Sequence, residues 1–468
     1  MTMTATYTEQ LTDFISDCKL EDIPADVREH ASRLVLDALG VAIYNSDKPF
    51  MRKMGTVVGR SVKKGACTAV GRRQPLVAEG AAMLNSAAIH GNDFDATHVP
   101  AIMHTSTVVI PTALAVAEET GASGAETAAA MIAGFEVLIR MGLATRGAMH
   151  RLGFQSTALC APIVLAMIAG RLYRMPRAQI VSAAGLAASI AAGLRAFSDD
   201  GTWGKRIITG WSCRAALTAI ELAKEGYPGT RDVLEKQPFG FYKAFVQHGG
   251  YELPELTRAL GEAWETRDIN VKLYPCSHGH HAFIDSVRRA RSELNLQPEN
   301  IRSVELHVSS EARRWWFEPR ERKYELPDVY GSRFSLPYTM ALTLVFGNLK
   351  DEHLDSREVL DDPRVKALAA RVVPKIDDTL SNANPNSLPG TLEVTTVDGR
   401  TSKFEGAGHA GGDRALERAA REKFSLNVEK LKRARSNRIA ALATGIESQP
   451  DVRGLMRLLR FDSATAAR

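Results

Sequence analysis

The stretch HGNDFDATHVPAIMHTS, residues 90–106, gathers three histidines, two aspartates, two threonines and a serine between two Ala-rich apolar segments. Three readings fit it. A metal nest would use His90, His98, His104 and the aspartates, but their spacing follows no HExxH or Cys/His signature. An acid/base site needs only that Asp93, Thr97 and His104 converge. There an aspartate orients or charge-tunes an imidazole that is a competent base near pH 7. A plain polar helix entry would use Asp95 or Thr97 as cap, with Pro111 opening the next helix.

Three further clusters carry chemistry-bearing side chains. SDDGTWGKRIITGWSCRAA, residues 198–216, sets Lys205 in a Gly-bounded loop ahead of a helix expected to begin near Trp211. A lysine there neutralises a substrate carboxylate, or serves as a base if desolvation lowers its pKa. The absence of a GxxxxGK[ST] pattern excludes a phosphate loop. KLYPCSHGHHAFIDS, residues 272–286, leads Lys272 in from a strand and places His278, His280 and His281 at a helix start. Those histidines are either packed and exposed side chains or a tract able to take up a transition metal. In SRFSLPYTMA, residues 332–341, Arg333 suits bidentate carboxylate binding, Ser335 is a helix cap, and Tyr338 is an acid or oxyanion donor. The tract from Arg313 to Trp316 mixes charge with aromatics. Without a basic face it gives no case for nucleic-acid stacking, and it suits an interface or a substrate lid.

These groups must be held by larger elements. Apolar positions recur at helical spacing over residues 25–46, 78–90, 108–120, 124–147, 157–170, 177–197 and 211–226. They predict a nearly all-helical unit over residues 1–266, interrupted only by a short strand or hairpin near 66–72. RDINVKLYPC, IRSVELHVSS and GTLEVTTVDGR then bunch or alternate β-branched residues, with Asp398-Gly399 as a turn and helices at 278–295 and 335–347. That predicts an α/β lid unit over 267–405, after which residues 406–468 return as amphipathic helices to the first unit. The dense charge of 412–439 reads as a solvated helix face. The fold class is therefore mainly α: a large all-helical domain plus a smaller α/β lid domain.

Composition bounds the function. The chain has 468 residues, 45% of them apolar and 24% charged, which is ordinary for a soluble globular protein. A net charge of +5 gives no case for nucleic acid, though it helps draw in an anionic substrate. Five scattered cysteines without CxxC spacing point to a reducing, cytoplasmic setting. No secretory signal is visible at the start. The longest apolar run, at 157–170, is about fourteen residues and suits a buried helix better than a membrane span.

The order of these motifs resembles the MmgE/PrpD family. NSAAIHGNDFDATH, then His104 and PTALAVAEE, GFQSTA, GTWGKRIITGWSCRA, KLYPCSHGHHAFIDS and RFSLPYTMAL follow one another as in that family, from about residue 8 to 440. Each motif is modest alone; the ordered set is specific. The resemblance implies a helical domain with an α/β lid, a homodimer, and no organic cofactor or metal. It implies proton movement at a carbon beside a carboxylate on a small polycarboxylate, as in 2-methylcitrate dehydratase, cis-aconitate decarboxylase and iminodisuccinate epimerase. Asp93, Thr97, His104, Lys205, Lys272 and Tyr338 fall on family active-site positions. Lys205 and Lys272 are then expected to hold substrate carboxylates. His104 is the acid/base oriented by Asp93, and Tyr338 acts from the lid side. His281 matches the family histidine before the A-x-I-D helix and is either catalytic or structural. Arg333 and Gln155 join the expected binding residues.

Two departures shape the expected reaction. Where the decarboxylases have His in a GFHPT-like motif, this chain has Gln155; where they have a second His after the strand-Pro turn, it has Ser277, with His278 adjacent. His104 also stands one residue later than the closest family spacing. Glutamine exchanges no proton at neutral pH, which argues against cis-aconitate decarboxylation. The sequence reading is accordingly a hydro-lyase dehydrating a hydroxy di- or tricarboxylate such as 2-methylcitrate. An epimerase is its alternative, and a non-catalytic binding protein a further one.

Overall fold

Small residues set how closely the long helices of this chain meet. A methyl group added at Gly134 would stand 2.3 Å from Ile168 Cδ1, and one at Gly210 would stand 2.6 Å from the Met83 carbonyl oxygen. The structure, a computed structural model, describes residues 5–247, 249–380, 388–406 and 414–461. It is mainly α-helical with small mixed sheets.

The larger core draws on residues from Leu11 to Val271 and again from Ala420 to Phe461. Its main helices are Ala25–Asn45, Ala78–His90, Ser106–Thr120, Gly124–Leu143, Ser156–Leu172, Arg177–Ser189 and Lys205–Lys224. Gly124–Leu143 and Ser156–Leu172 are buried on nearly every face, which explains their continuous apolar sequence. Each fully buried aliphatic side chain contributes about 1.5–3 kcal/mol of transfer free energy.

Several helix ends differ from the sequence reading. The Lys205–Lys224 helix begins six residues before Trp211, so Lys205 is its first residue and does not belong to a loop. The Arg177–Ser189 helix stops short of 197, because the chain beyond it turns to pair Phe154 with Leu194. Pro111 lies inside the Ser106–Thr120 helix and does not open it. The strand expected near 66–72 is β1, Lys64–Cys67, bridged to Leu76.

The smaller core runs from Tyr274 to Phe404. Its sheet has the order β5-β4-β6-β7, with β4 (Ile301–Val308) parallel to β5 (Val372–Ile376) and antiparallel to β6 (Leu392–Thr396), which pairs with β7 (Thr401–Phe404). Gly399, at φ 90°, takes the left-handed conformation in the tight β6–β7 turn. Sequence reasoning missed β5 because Pro374 interrupts it; at a sheet edge the missing donor is tolerated. The segment RDINVKLYPC forms only a two-residue strand, β3 (Ile269–Asn270), paired antiparallel with β2 (Thr97–His98).

The 414–427 helix corrects the expectation of a solvated charged face. Lys423 is buried, with its ammonium 2.7 Å from Asp37 and donating to the Phe94 carbonyl at 2.7 Å. Residues 412 and 413 of that charged run lie outside the described residues, as do the first four and the last seven residues of the chain.

Candidate active site

The four residues Asn92 to Asp95 form a short loop at the end of the Ala78–His90 helix, and separate parts of the chain hold each of them. Asn92 donates its side-chain amide to both carboxylate oxygens of Asp351 in the smaller unit, at 3.0 and 3.1 Å. The Asp93 carboxylate receives Lys205 and Lys272, the latter at 2.7 Å. The Phe94 carbonyl accepts from Lys423, and one oxygen of Asp95 accepts from both His90 Nδ1 at 3.0 Å and His104 Nδ1 at 2.8 Å. Asp93 sits at φ 54°, a left-handed conformation uncommon for a non-glycine residue and costly unless the surroundings impose it. The contacts on every side supply that imposition.

Strand pairing brings the lysines to one carboxylate. Thr97 lies opposite Asn270 in the β2–β3 ladder, so Lys272, two residues on, reaches Asp93 and donates to its carbonyl as well, at 3.1 Å. Lys205 reaches Asp93 from the first turn of its own helix. Burial opposes ionisation of Asp93, but Lys205 and Lys272 outweigh it and hold the carboxyl far below its ordinary value. Two ammonium groups against one carboxylate leave a net positive charge on the pocket wall.

The second pair of acid and base is Asp95 with His104. Burial opposes ionisation of Asp95 too, and the two imidazoles reverse it. For His104 burial is the larger effect; it lowers the imidazole below its ordinary 6.5 despite Asp95, so the ring is neutral at pH 7. His90 is pushed down further by burial, to about 4. With Asp95 ionised, the contact requires the proton on His104 Nδ1, which leaves Nε2 with the lone pair. His104 Nδ1 also lies 3.3 Å from Thr97 Oγ1, and its backbone N–H donates to Thr157 Oγ1 at 2.8 Å. His90, Asp95 and His104 are also a grouping of metal-ligand type, with one ligand atom of each within 4.8 Å of the others; His98, Glu265 and Asp268 form a second.

A pocket opens onto this wall. Of the expected residues, Asp93, Thr97, His104, Gln155, Lys205 and Lys272 line it together. Gln155 caps the Ser156–Leu172 helix by accepting from Ala158 N at 2.6 Å, which leaves its amide N–H groups as donors.

Three expected residues are placed elsewhere. Tyr338 is buried in the smaller core, its hydroxyl donating to the Tyr324 carbonyl at 3.3 Å, and does not line the pocket. Arg333 is fully buried and committed to Asp351 at 2.8 Å, Asp355 at 2.6 Å and the Pro275 carbonyl, so it buttresses the smaller unit. His281 Nε2 lies 3.1 Å from the Tyr274 carbonyl with its ring stacked on His278; it is His278 that lines the pocket. The expected Asp93–His104 pairing is likewise corrected: the two lysines occupy Asp93, and Asp95 takes the imidazole.

Sequence reasoning missed His150 and Arg195, and gave Asp95 a part in the metal nest or the helix cap but none in the acid/base pair. His150 and Arg195 stand in segments, GAMHRLG and GLRAFS, that carry no spacing signal. Trp315 and Trp316, read as interface or lid, line the pocket from the smaller unit, with Phe334.

These observations describe a mainly helical protein with two large hydrophobic cores and a pocket, lined by Lys205 and Lys272, that holds a carboxylate-oriented imidazole. The chain belongs to the MmgE/PrpD family: the family's N-terminal domain matches residues 9–254 and its C-terminal domain residues 274–447. It is 30% identical over 410 residues to a cis-aconitate decarboxylase of Aspergillus terreus, covering 84% of this chain and 83% of that one. It is 28% identical over 361 residues to a cis-aconitate decarboxylase-like protein of Aspergillus oryzae, covering 73% and 74%. With mouse cis-aconitate decarboxylase the identity is 23% over 486 residues, covering 98% and 95%.

The names of these relatives overturn the hydro-lyase reading, and with it the exclusion of decarboxylation. Gln155 and Ser277 do line the pocket, but so do three imidazoles, His104, His150 and His278.

Proposed function

We propose that this chain decarboxylates a small unsaturated polycarboxylate of the cis-aconitate type. The observation that carries the proposal is the pairing of Lys205 and Lys272 with Asp93 beside a neutral His104 in one pocket, in a chain whose relatives bear the decarboxylase name. In such a substrate a –CH2–COO⁻ group is attached to a C=C bond that carries a second carboxylate. The C–C bond to the departing carboxylate breaks and CO2 leaves. Its electron pair forms a new C=C bond, and the former alkene pair moves to the carbon beside the second carboxylate. That carbon takes up one proton.

The residues suit each part of this step. Lys205 and Lys272 meet the carboxylate onto which charge spreads in the transition state. His104 supplies the proton through Nε2. The resting imidazole is neutral, and an anionic substrate beside it raises its proton affinity, so binding itself loads the acid. Ile102, Phe197, Trp316 and Phe334 give the pocket apolar surface, where a carboxylate is poorly solvated and CO2 is not.

Purified protein incubated with cis-aconitate in deuterated water tests the reading by proton NMR. The expected result is loss of CO2 with one deuterium on carbon. A panel of unsaturated polycarboxylates that all return unchanged would overturn it.

Two features of its setting belong to the same proposal. Trp203, Ile207 and Trp211 remain exposed at successive turns in and just before the Lys205–Lys224 helix, which supports a homodimer through that face; analytical ultracentrifugation tests it. The five cysteines are unpaired and buried, which supports a cytoplasmic location, and cell fractionation tests that. Among the described residues no helix is long and apolar enough to cross a membrane.

A further inference from the structure

Arg195 lines the same pocket but belongs to neither of its charge pairs. Its backbone is fixed, since Arg195 N donates to the Gly153 carbonyl at 2.8 Å and Gln155 N donates to the Gly193 carbonyl at 3.0 Å. The segment carrying Arg195 is therefore tied to the segment carrying Gln155. The guanidinium lies 4.8 Å over the Trp315 ring, and one of its N–H groups donates to the His150 carbonyl at 3.2 Å. The His150 ring meets Trp315 edge-on at 4.8 Å, which closes the group.

Among the described residues no carboxylate pairs with Arg195, and the His150 carbonyl is the one hydrogen-bond acceptor its side chain meets. The buried Arg333 and Arg140 differ: Arg333 is met by Asp351 and Asp355, and Arg140 by Glu136. Asp199 and Glu311 act on Arg195 only through their fields. Burial lowers the guanidinium to about 10, so it stays charged at neutral pH. A partly buried guanidinium over an aromatic ring, lining a pocket with donors to spare, is suited to a planar carboxylate.

We propose that Arg195, with the Gln155 amide in the same lining, binds a second carboxylate of the substrate, making the pocket selective for di- and tricarboxylates over monocarboxylates. The lysine pair on Asp93 takes one carboxylate and Arg195 another. The inference rests on the reading of the pocket as a polycarboxylate site, and it adds the residue that counts the charges.

Binding separates the subsite from the reaction. Propane-1,2,3-tricarboxylate, a saturated tricarboxylate, is titrated calorimetrically into wild-type protein and into Arg195→Met and Arg195→Lys. Butyrate, with a single carboxylate, is titrated by ligand-observed NMR. Arg195→Met is expected to weaken the tricarboxylate about tenfold or more and butyrate less than twofold, with Arg195→Lys between. Unchanged tricarboxylate affinity in Arg195→Met would overturn the proposal. An equal loss for both ligands would overturn it too, because Arg195 would then be supporting the pocket walls. Selective loss of the tricarboxylate in a protein that releases no CO2 from any substrate would leave the subsite standing and remove the decarboxylase reading.

Discussion

Lys272 Nζ lies 2.7 Å from Asp93 Oδ1, although 179 residues separate them along the chain. The β2–β3 ladder makes this contact, and Lys205 joins it from a third segment. Removing the carboxylate would leave two ammonium groups buried side by side. Asp93→Asn is therefore expected to lower stability by about 3–5 kcal/mol, the cost of breaking a buried ion pair. It should also weaken substrate turnover by about a hundredfold or more, because the lysines would repel each other out of position. Urea unfolding and steady-state kinetics measure the two effects. A stability change below about 1 kcal/mol would contradict the account.

Asp95 acts on the same loop by a different route. It fixes the His104 tautomer and raises the proton affinity of a ring that burial has lowered. Asp95→Asn should reduce kcat by about a hundredfold or more while the fold survives. The pKa of free His104 should fall further, moving the corresponding limb of the kcat/KM profile to lower pH. A limb that stays in place or moves upward would show that Asp95 does not tune His104.

The buried histidines dictate how stability responds to acid. Burial lowers His90 from 6.5 to about 4 and His280 to about 3, and it lowers His30 and His104 as well. In the unfolded chain these imidazoles protonate near 6.5. Between pH 6.5 and about 4 the unfolded state thus binds more protons, and stability falls as pH falls. Asp93 and Asp95, both depressed, add to the loss only at lower pH still. Thermal unfolding should show a midpoint that drops steadily from pH 6.5 to 4.5. His280→Asn should flatten that slope, and a midpoint independent of pH across the window would refute the assignment.

Tyr338 supplies a contrasting case. Its hydroxyl meets the Tyr324 carbonyl at 3.3 Å and stands apart from the pocket. Tyr338→Phe should keep kcat/KM within about twofold and cost about 1 kcal/mol, the worth of one hydrogen bond. A loss of a hundredfold in kcat with unchanged stability would restore Tyr338 to the chemistry.

By itself the sequence determined the mainly helical class, the change to β-branched segments after residue 267, and the ordered motifs of the family. It also marked Asp93, Thr97, His104, Gln155, Lys205 and Lys272, all of which line one pocket. Those properties are legible because periodicity and motif order are local. Only the tertiary structure decided the partners. Asp93 and Asp95 are two residues apart, and nothing local distinguishes which meets lysine and which meets imidazole. Lys272 arrives through strand pairing, and His104 folds back onto Asp95. Tyr338, Arg333 and His281 carry reactive types, but the packing of the smaller core turns them inward. Arg195 and His150 have unremarkable neighbours in sequence and enter the pocket because the chain beyond Ser189 doubles back to pair with Phe154. Spacing along a chain fixes which face a residue shares with its neighbours; a residue's charge partner depends on which distant segment crosses that face.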